Sequence, residues 1–250
     1  MKLVDVSAFL GHWPFRAVSR TASEMKADLQ GVGIQRAWIA SLDAFFHPDP
    51  TAANDALAQA AGGDAFFCPL AVINPAVYGW EKQIEHARKN AFRGWKISPN
   101  YHGYDVSGDL AASIATLAAQ ASLPLCIQMR LQDERGHHPL MKVPGVPAQA
   151  IVELAKKVPQ AKIVACAPYM SELKILAQAP NIWAELSFAE SGQSLNDALT
   201  HLPANRLLFG SHAPLHYPAA EAAKLSGGLD IPEEVLAQIA HGNAQDLIPR

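Results

Sequence analysis

The sequence predicts a (β/α)₈ barrel, an α/β fold in which residues 1–250 form a single domain. Short apolar runs typical of buried strands alternate with helical segments, and eight such units recur at roughly 30-residue intervals, the length of a strand–helix crossover. A length of 250 residues is typical of one such barrel. An open doubly wound sheet is the alternative, but no Gly-x-Gly-x-x-Gly turn follows the first strand.

The first half of the chain predicts four strands and their helices. The strands are expected at residues 2–9, 37–40, 66–72 and 92–97. The first helix begins at a capping box, in which the hydroxyl of Thr21 and the carboxylate of Glu24 each accept a backbone N–H. Further helices are expected at residues 51–61, 80–87 and 110–121.

The second half continues the pattern. Its strands are predicted at residues 123–129, 162–166, 182–186 and 207–209. Its helices are predicted near residues 151–158, after the sixth and seventh strands, at 219–225 and at 232–241. Asp230 and Glu233 are expected to cap the last helix. The long polar segment 130–144 is expected to be functional, since loops of this length in compact domains usually are.

Composition and charge limit the classes of function. Half of the residues are hydrophobic and 17% are charged, so a sizeable core is expected. The net charge of −3, with no basic cluster, argues against a nucleic-acid partner. Three cysteines in apolar runs predict free thiols in a reducing compartment. No apolar run approaches the ~20 residues of a membrane span, so we expect a cytoplasmic protein with no membrane partner.

Polar residues follow the predicted strands, at positions that converge on one mouth of a barrel. Gly210 is expected to turn the chain sharply after the last strand. The strand exits hold, in chain order, Ser7, Phe9, His12, Asp43, His47, Asn74, Lys96, Tyr101, His102, Tyr104, Gln128, Arg130, Asp133, Arg135, His137, His138, Glu185, Ser211, His212 and His216. This concentration predicts an active site at the mouth; the alternative is that loops are polar in general.

Five motifs spread over nearly the whole chain carry a family resemblance. They are residues 4–11 (VDVSAFLG), 94–99 (GWKISP), 123–128 (LPLCIQ), 208–214 (LFGSHAP) and 242–247 (GNAQDL). Together they resemble the amidohydrolase-related proteins, which are TIM-barrel enzymes of the amidohydrolase superfamily. The resemblance implies hydrolytic or decarboxylating chemistry in which a divalent metal activates water or polarises the substrate.

The chain departs from that family at the metal-binding positions. Ser7 and Phe9 stand in place of its His-x-His pair, Gln128 in place of the fifth-strand histidine and His212 in place of the aspartate after the eighth strand. Residues 163–167 also lack the sixth-strand histidine. Phe cannot coordinate a metal, and Ser and Gln are poor zinc ligands, so we predict that the protein has no metal cofactor. The alternative is zinc or another divalent metal on rearranged ligands, for which the candidates are His12, His47, His138 and His212.

Three residues are predicted to be catalytic. His212 is expected to carry protons, since a neutral imidazole is a competent general base near pH 7. Lys96 ends an apolar strand, where its ammonium needs a carboxylate partner or a bound anion. Glu185 is the candidate partner, and a substrate carboxylate is the equal alternative. His138, in the long loop, is the third predicted catalytic residue.

Other mouth residues are predicted to bind substrate. Arg130 is expected to clamp a carboxylate bidentately. The other predicted substrate-binding residues are Gln128, Ser7, Glu185, His12 and Tyr101. Trp13 and Phe15 are expected to cover part of the mouth.

These residues predict a hydrolase or decarboxylase that acts on a small carboxylated metabolite. One alternative is a barrel that has lost catalysis and binds a ligand or partner. Another is a metal-dependent hydrolase with rearranged ligands. The small-molecule substrate is the expected partner, and the aromatic residues of the loops make a homodimer plausible.

Overall fold

The computed structural model of the chain describes residues 1–90, 92–138, 140, 142–225 and 230–248. These residues form parallel strands with helices between them. The strands are β1 (Leu3–Leu10), β2 (Ile34–Ser41), β3 (Phe67–Pro69), β4 (Ala71–Val72), β5 (Trp95–Ile97), β6 (Pro124–Gln128), β7 (Lys162–Cys166), β8 (Ile182–Glu185) and β9 (Leu207–Leu208). Strands β1 to β3 pair in sequence order, and so do β4 to β9.

The barrel closes through backbone hydrogen bonds outside the regular ladders. The Val6 N–H donates to the Phe209 carbonyl at 3.0 Å, and the Phe9 N–H donates to the Ala213 carbonyl at 2.8 Å. Strands β3 and β4 are the two parts of one predicted strand. It divides beside Pro69, which has no N–H, and there the pairing passes from β2 to β5. Counted in this way, eight strands form the predicted (β/α)₈ barrel.

The helices follow the strands in the predicted alternation. They are α1 (Ala22–Gln30), α2 (Thr51–Ala61), α3 (Glu81–Lys89), α4 (Pro99–His102), α5 (Asp109–Gln120), α6 (Ala148–Lys157), α7 (Met170–Leu176), α8 (Ser194–His201), α9 (Pro218–Ala223), α10 (Glu233–Ala237) and α11 (Asn243–Leu247). Helix α1 begins at the predicted capping box of Thr21 and Glu24. The capping predicted for Asp230 and Glu233 is not formed, since the residue before α10 is Pro232, with no side-chain cap. A π-helix links α10 to α11.

The strands separate two apolar layers. One face of each strand packs against the helices, as Trp95 and Ile97 do in β5. The other face fills the barrel interior, where Cys68, Cys126 and Cys166 lie among aliphatic side chains. These cysteines are buried and free, as predicted. Within the described ranges, no helix has the length and apolar character needed to cross a membrane.

Candidate active site

The carboxyl ends of the strands carry a buried polar layer with clefts above it. Two adjoining cavities, of about 950 and about 340 Å³, share Asp133, Gly136 and His216 in their linings. We call these two cavities together the mouth cleft. The layer below it contains seven residues at most 1% exposed, which are Asp5, Ser7, Lys96, Gln128, Glu185, Ser211 and His212.

Asp5 joins the first strand to the end of the last. Its Oδ1 accepts the backbone N–H groups of Ser7 and Ser211, each at 2.9 Å. Its Oδ2 accepts the Ser211 hydroxyl at 2.5 Å. Burial raises the pKa of Asp5 to about 6, although these hydrogen bonds act in the opposite direction. The carboxyl group is therefore part of the barrel closure and has no free face toward the cleft.

Lys96 extends into the barrel interior and contacts two residues that the sequence analysis identified as replaced metal ligands. Its Nζ donates to Gln128 Oε1 at 2.9 Å and lies 4.7 Å from the centre of the Phe9 ring. The Gln128 amide nitrogen in turn donates to the Arg130 carbonyl at 2.7 Å. Gln128 thus links the ammonium group to the backbone after β6.

Glu185 is not the partner of Lys96, so that predicted alternative is wrong. The Glu185 carboxylate accepts the Ser187 N–H at 2.7 Å, the Ser187 hydroxyl at 2.8 Å and the Ala167 N–H. Burial raises the pKa of Glu185. Ser7 also lies in this layer, and its hydroxyl is buried with no hydrogen-bond partner among the described residues.

His212 lies beneath the cleft. Its Nε2–H donates to the Leu131 carbonyl at 3.0 Å, and its ring is packed edge-on between Phe9 and Phe188 at 5.2 and 5.0 Å. Burial lowers its pKa well below the usual range, and nearby His216 lowers it further. Its φ of 53° lies in the left-handed region, which is strained for a residue other than glycine. The ring is therefore held as a neutral, packed group.

Arg130 is engaged with a partner inside the protein. Its Nη1 and Nη2 donate to the two Glu172 carboxylate oxygens at 2.8 and 2.7 Å, and Nη1 also donates to the Ala167 carbonyl. The Tyr169 ring lies 3.8 Å from its Cζ. These contacts tie the loop after β6 to α7. A substrate-binding role for Arg130 stays a prediction.

The remaining predicted residues lie outside the mouth cleft. His12 is 82% exposed in its side chain, and its Nδ1 lies 3.3 Å from Asp43 Oδ1. Tyr101 and His138 line a third, apolar cavity of about 640 Å³, which shares Phe15, Gln132 and Gly136 with the mouth cleft. Trp13 lines both this cavity and the mouth cleft. The structure thus brings five predicted residues together in the buried layer and leaves His12, Tyr101 and His138 apart from it.

Arg16 and His216 are cleft residues to which the sequence analysis gave no role. Arg16 lines the mouth cleft, and its Nη2 donates to the Leu215 carbonyl at 2.7 Å. His216 lines both cavities of the cleft and pairs through Nδ1 with Glu221 Oε1 at 3.1 Å. His216 had a signal, since it follows the last strand and precedes a Pro-initiated helix that carries Glu221. Arg16 lies in an irregular loop and had none.

The fold is similar to that of solved decarboxylases. The 2,6-dihydroxybenzoate decarboxylase from Rhizobium is 15% identical, with a TM-score of 0.77 and 98% of both chains covered. The 5-carboxyvanillate decarboxylase from Sphingomonas paucimobilis is 16% identical, with a TM-score of 0.78 and the same coverage. At these identities the likeness shows the fold. No curated protein sequence matches the chain.

The prediction that the protein has no cofactor is contradicted by similar structures that contain a metal. A dihydroxybenzoic acid decarboxylase from Polaromonas sp. JS666 holds manganese and 2-nitroresorcinol; it is 16% identical, with a TM-score of 0.78 and coverage of 98% of this chain and 96% of that one. Two structures of the 5-carboxyvanillate decarboxylase from Novosphingobium aromaticivorans also hold manganese. The prediction used only the replaced ligand positions of this chain, whereas other proteins of this fold hold a divalent metal.

The described residues do not fit such an ion at the expected positions. Ser7, Phe9 and Gln128 stand there, and Phe9 and Gln128 are in contact with the Lys96 ammonium group. Across residues 1–90, 92–138, 140, 142–225 and 230–248 there is no group of three or more His, Cys, Asp or Glu side chains that could hold a metal. The rearranged set of His12, His47, His138 and His212 therefore does not form a ligand cluster.

The family itself is shown by a match along the sequence. A family model described as amidohydrolase matches residues 33–250, from the start of β2 to the end of the chain. The match covers most of the barrel and agrees with the motifs that carried the resemblance. The chain therefore belongs to the amidohydrolase family.

Proposed function

We propose that the protein is an enzyme that binds a small carboxylated aromatic compound in the mouth cleft and removes its carboxyl group. The observation that carries the proposal is the position of the Arg16 guanidinium beside aromatic rings in one cleft. Family membership supports enzymatic chemistry, and the decarboxylases of similar fold act on compounds of this class, as their names state.

Arg16 is the cleft cation that is available to an anion. No carboxylate pairs with it among the described residues, and only its Nη2 is used, by the Leu215 carbonyl. The other cleft arginine, Arg135, donates to both Asp133 oxygens at 2.9 and 2.7 Å. That pair lowers the pKa of Asp133 to about 2. A substrate carboxylate in the cleft therefore finds an uncompensated charge at Arg16.

Aromatic side chains give the cleft walls suited to a planar ring. Trp13 and Phe15 meet edge to face at 5.3 Å beside Arg16. Tyr169 and Phe188 line the larger cavity of the cleft, with their ring centres 6.1 Å apart. The rest of the lining is largely polar, so the cleft combines aromatic surface with groups that can hydrogen-bond a ligand. Direct roles for Lys96, His138 and His212 stay predictions, since none of the three lines the mouth cleft.

The test is release of CO₂ from a panel of aromatic acids. We would supply 2,6-dihydroxybenzoate, 5-carboxyvanillate and benzoate, each with and without added manganese, and measure CO₂ and product. Turnover of at least one compound is expected. Arg16→Gln should raise KM by about 10–100-fold, the effect of losing a hydrogen bond to a charged group. Arg20→Gln is the matched control, because Arg20 pairs with Asp28 and lines only the neighbouring groove.

Other outcomes separate the alternatives. Binding by calorimetry without CO₂ release or any other product would indicate a barrel that binds its ligand without catalysis. Turnover that Arg16→Gln leaves unchanged would place the substrate outside the mouth cleft. The absence of both turnover and binding for every compound tested would reject the proposed substrate class.

Proposals about binding partners and cellular location rest on the amino-acid composition and on the side chains that are exposed. The net charge of −3 supports the absence of a nucleic-acid partner, and three free buried cysteines support a cytoplasmic location. A homodimer is supported by exposed apolar side chains, among them Phe15 at 53% and Tyr217 at 82%. Light scattering compares the mass in solution with the 26.8 kDa of one chain.

A further inference from the structure

The imidazole of His216 is held from two directions at the edge of the mouth cleft. Its Nδ1 lies 3.1 Å from Glu221 Oε1, and the Phe188 ring stacks on it at 4.6 Å with an angle of 31°. Its backbone N–H donates to the His212 carbonyl at 3.1 Å. The side chain is 26% exposed, so the ring is fixed and still reaches the cleft.

Glu221 is itself fixed beneath the ring. Its side chain is 5% exposed, and its Oε2 lies 2.7 Å from Lys224 Nζ. Lys224 donates to the carbonyls of Leu186 and Ser187, at 3.1 and 2.9 Å, in the segment that follows β8. A chain of charged groups therefore runs from the backbone after β8 to Nδ1 of His216. It uses none of the residues that the sequence analysis singled out as catalytic.

This arrangement leaves one nitrogen of His216 available. A carboxylate only accepts hydrogen bonds, so Nδ1 carries the proton in the pair with Glu221. Nε2 has no protein partner among the described residues. A histidine oriented through Nδ1 by a buried carboxylate, with Nε2 toward a ligand, is the arrangement used for proton transfer in catalytic triads. His212 has the opposite arrangement, because its Nε2 is bonded to Leu131 and its ring is buried.

We infer that His216 transfers a proton between Nε2 and the substrate, and that Glu221 is its positioning residue. The inference rests on the proposed function. In the decarboxylation, the bond between the ring carbon and the carboxyl carbon breaks, and its electron pair stays on the ring carbon. That carbon takes the proton from Nε2 of the imidazolium form, CO₂ leaves, and water returns a proton to the imidazole. Arg16, which lines the same cleft, holds the anion beside it.

The test compares two histidines that each pair with a carboxylate. His216→Asn should lower kcat by about 10²–10⁴-fold, the usual contribution of a general acid, with a much smaller change in KM. Glu221→Gln should also lower kcat, and Glu221→Asp should restore part of it. His86→Asn is the matched control, because His86 pairs with Asp55 outside the mouth cleft. It should leave kcat unchanged.

A second measurement observes the ring nitrogens of His216 directly and does not require turnover. Nitrogen-15 NMR of the wild-type protein should show a proton on Nδ1 of His216, held by Glu221, and a change in the Nε2 signal when benzoate is added. Glu221→Gln should give a mixture of tautomers. Turnover in His216→Asn within threefold of the wild type would overturn the role of His216 and leave the proposed function intact. Absence of both turnover and benzoate binding in the wild type would overturn both.

Discussion

Asp5 and Ser211 join the two ends of the barrel through two hydrogen bonds. The carboxylate of Asp5, on β1, accepts both the backbone N–H and the hydroxyl of Ser211, which follows β9 by three residues. The same closure carries the backbone bond from Val6 to Phe209. The buried polar layer is therefore part of the scaffold on which the mouth cleft stands.

The raised pKa of Asp5 predicts how stability depends on pH. Because the folded pKa is about 6 and the unfolded value is 3.8, the folded protein binds more protons between these values. The contribution of Asp5 to the free energy of unfolding is full below pH 3.8 and is lost as pH rises through about 6. The loss is about 3 kcal/mol from the size of this shift. Glu185, whose pKa burial also raises, acts with the same sign.

The substitution Asp5→Asn removes this pH dependence and keeps a side-chain oxygen that can accept hydrogen bonds. We expect its free energy of unfolding, relative to that of the wild type, to be about 2–3 kcal/mol higher at pH 7.5 than at pH 4.5, because only the wild type loses stability over this range. Urea denaturation at the two pH values measures the difference. Asp109→Asn, at an exposed carboxylate, is the control. Parallel pH profiles for the wild type and Asp5→Asn would contradict the buried titration.

Gly210 is required by close contacts and not by a turn. A Cβ there would lie 2.3 Å from Glu185 Oε2 and 3.1 Å from the Ser7 Cβ. The residue in the left-handed region is His212, so the sharp turn predicted for Gly210 is two residues later. Gly210→Ala should lower the free energy of unfolding by about 1–3 kcal/mol through overpacking.

Chemical denaturation measures this effect against Gly192→Ala. At Gly192 a Cβ would meet nothing within 4 Å, so the change there should be small. Equal effects of the two substitutions would mean that the layer around Glu185 can rearrange to take a methyl group.

The sequence was informative where structure depends on neighbours along the chain. The capping box at Thr21 and the apolar runs of the strands depend on short-range spacing, and α1 begins where predicted. The single strand predicted over residues 66–72 divides at Pro69 into β3 and β4, and this division became clear only from the register. The polar residues that follow the strands then predicted which end of the barrel carries the site.

Partners across the barrel could not be predicted in the same way. Lys96 on β5 meets Gln128, because β6 is the adjacent strand, whereas Glu185 lies on β8, two strands further around the sheet. The role of a side chain also depends on whether it is buried below the cleft or lines it, and the sequence does not show this. His212 and His216 are four residues apart, yet one is buried below the cleft and the other lines it.

The observed partners of Arg130 and its predicted role in substrate binding lead to different expectations for the same substitution. The ion pair predicts a loss of stability, and substrate binding predicts a rise in KM. The guanidinium is 3% exposed and bonded to both oxygens of Glu172. Removal of one partner from a buried pair leaves a charge without compensation, which costs about 3–5 kcal/mol. Arg130→Ala should therefore lower the free energy of unfolding by that amount, as measured by chemical denaturation.

Arg135→Ala is the matched control, since Arg135 pairs with Asp133 while its own side chain is 86% exposed. Exposed pairs are screened by water, so this variant should unfold like the wild type. If Arg130→Ala instead kept its stability and raised KM for the aromatic acids, Arg130 would be a substrate anchor. The ion pair with Glu172 would then have to open when the substrate binds, and the mouth cleft would extend inward to Arg130.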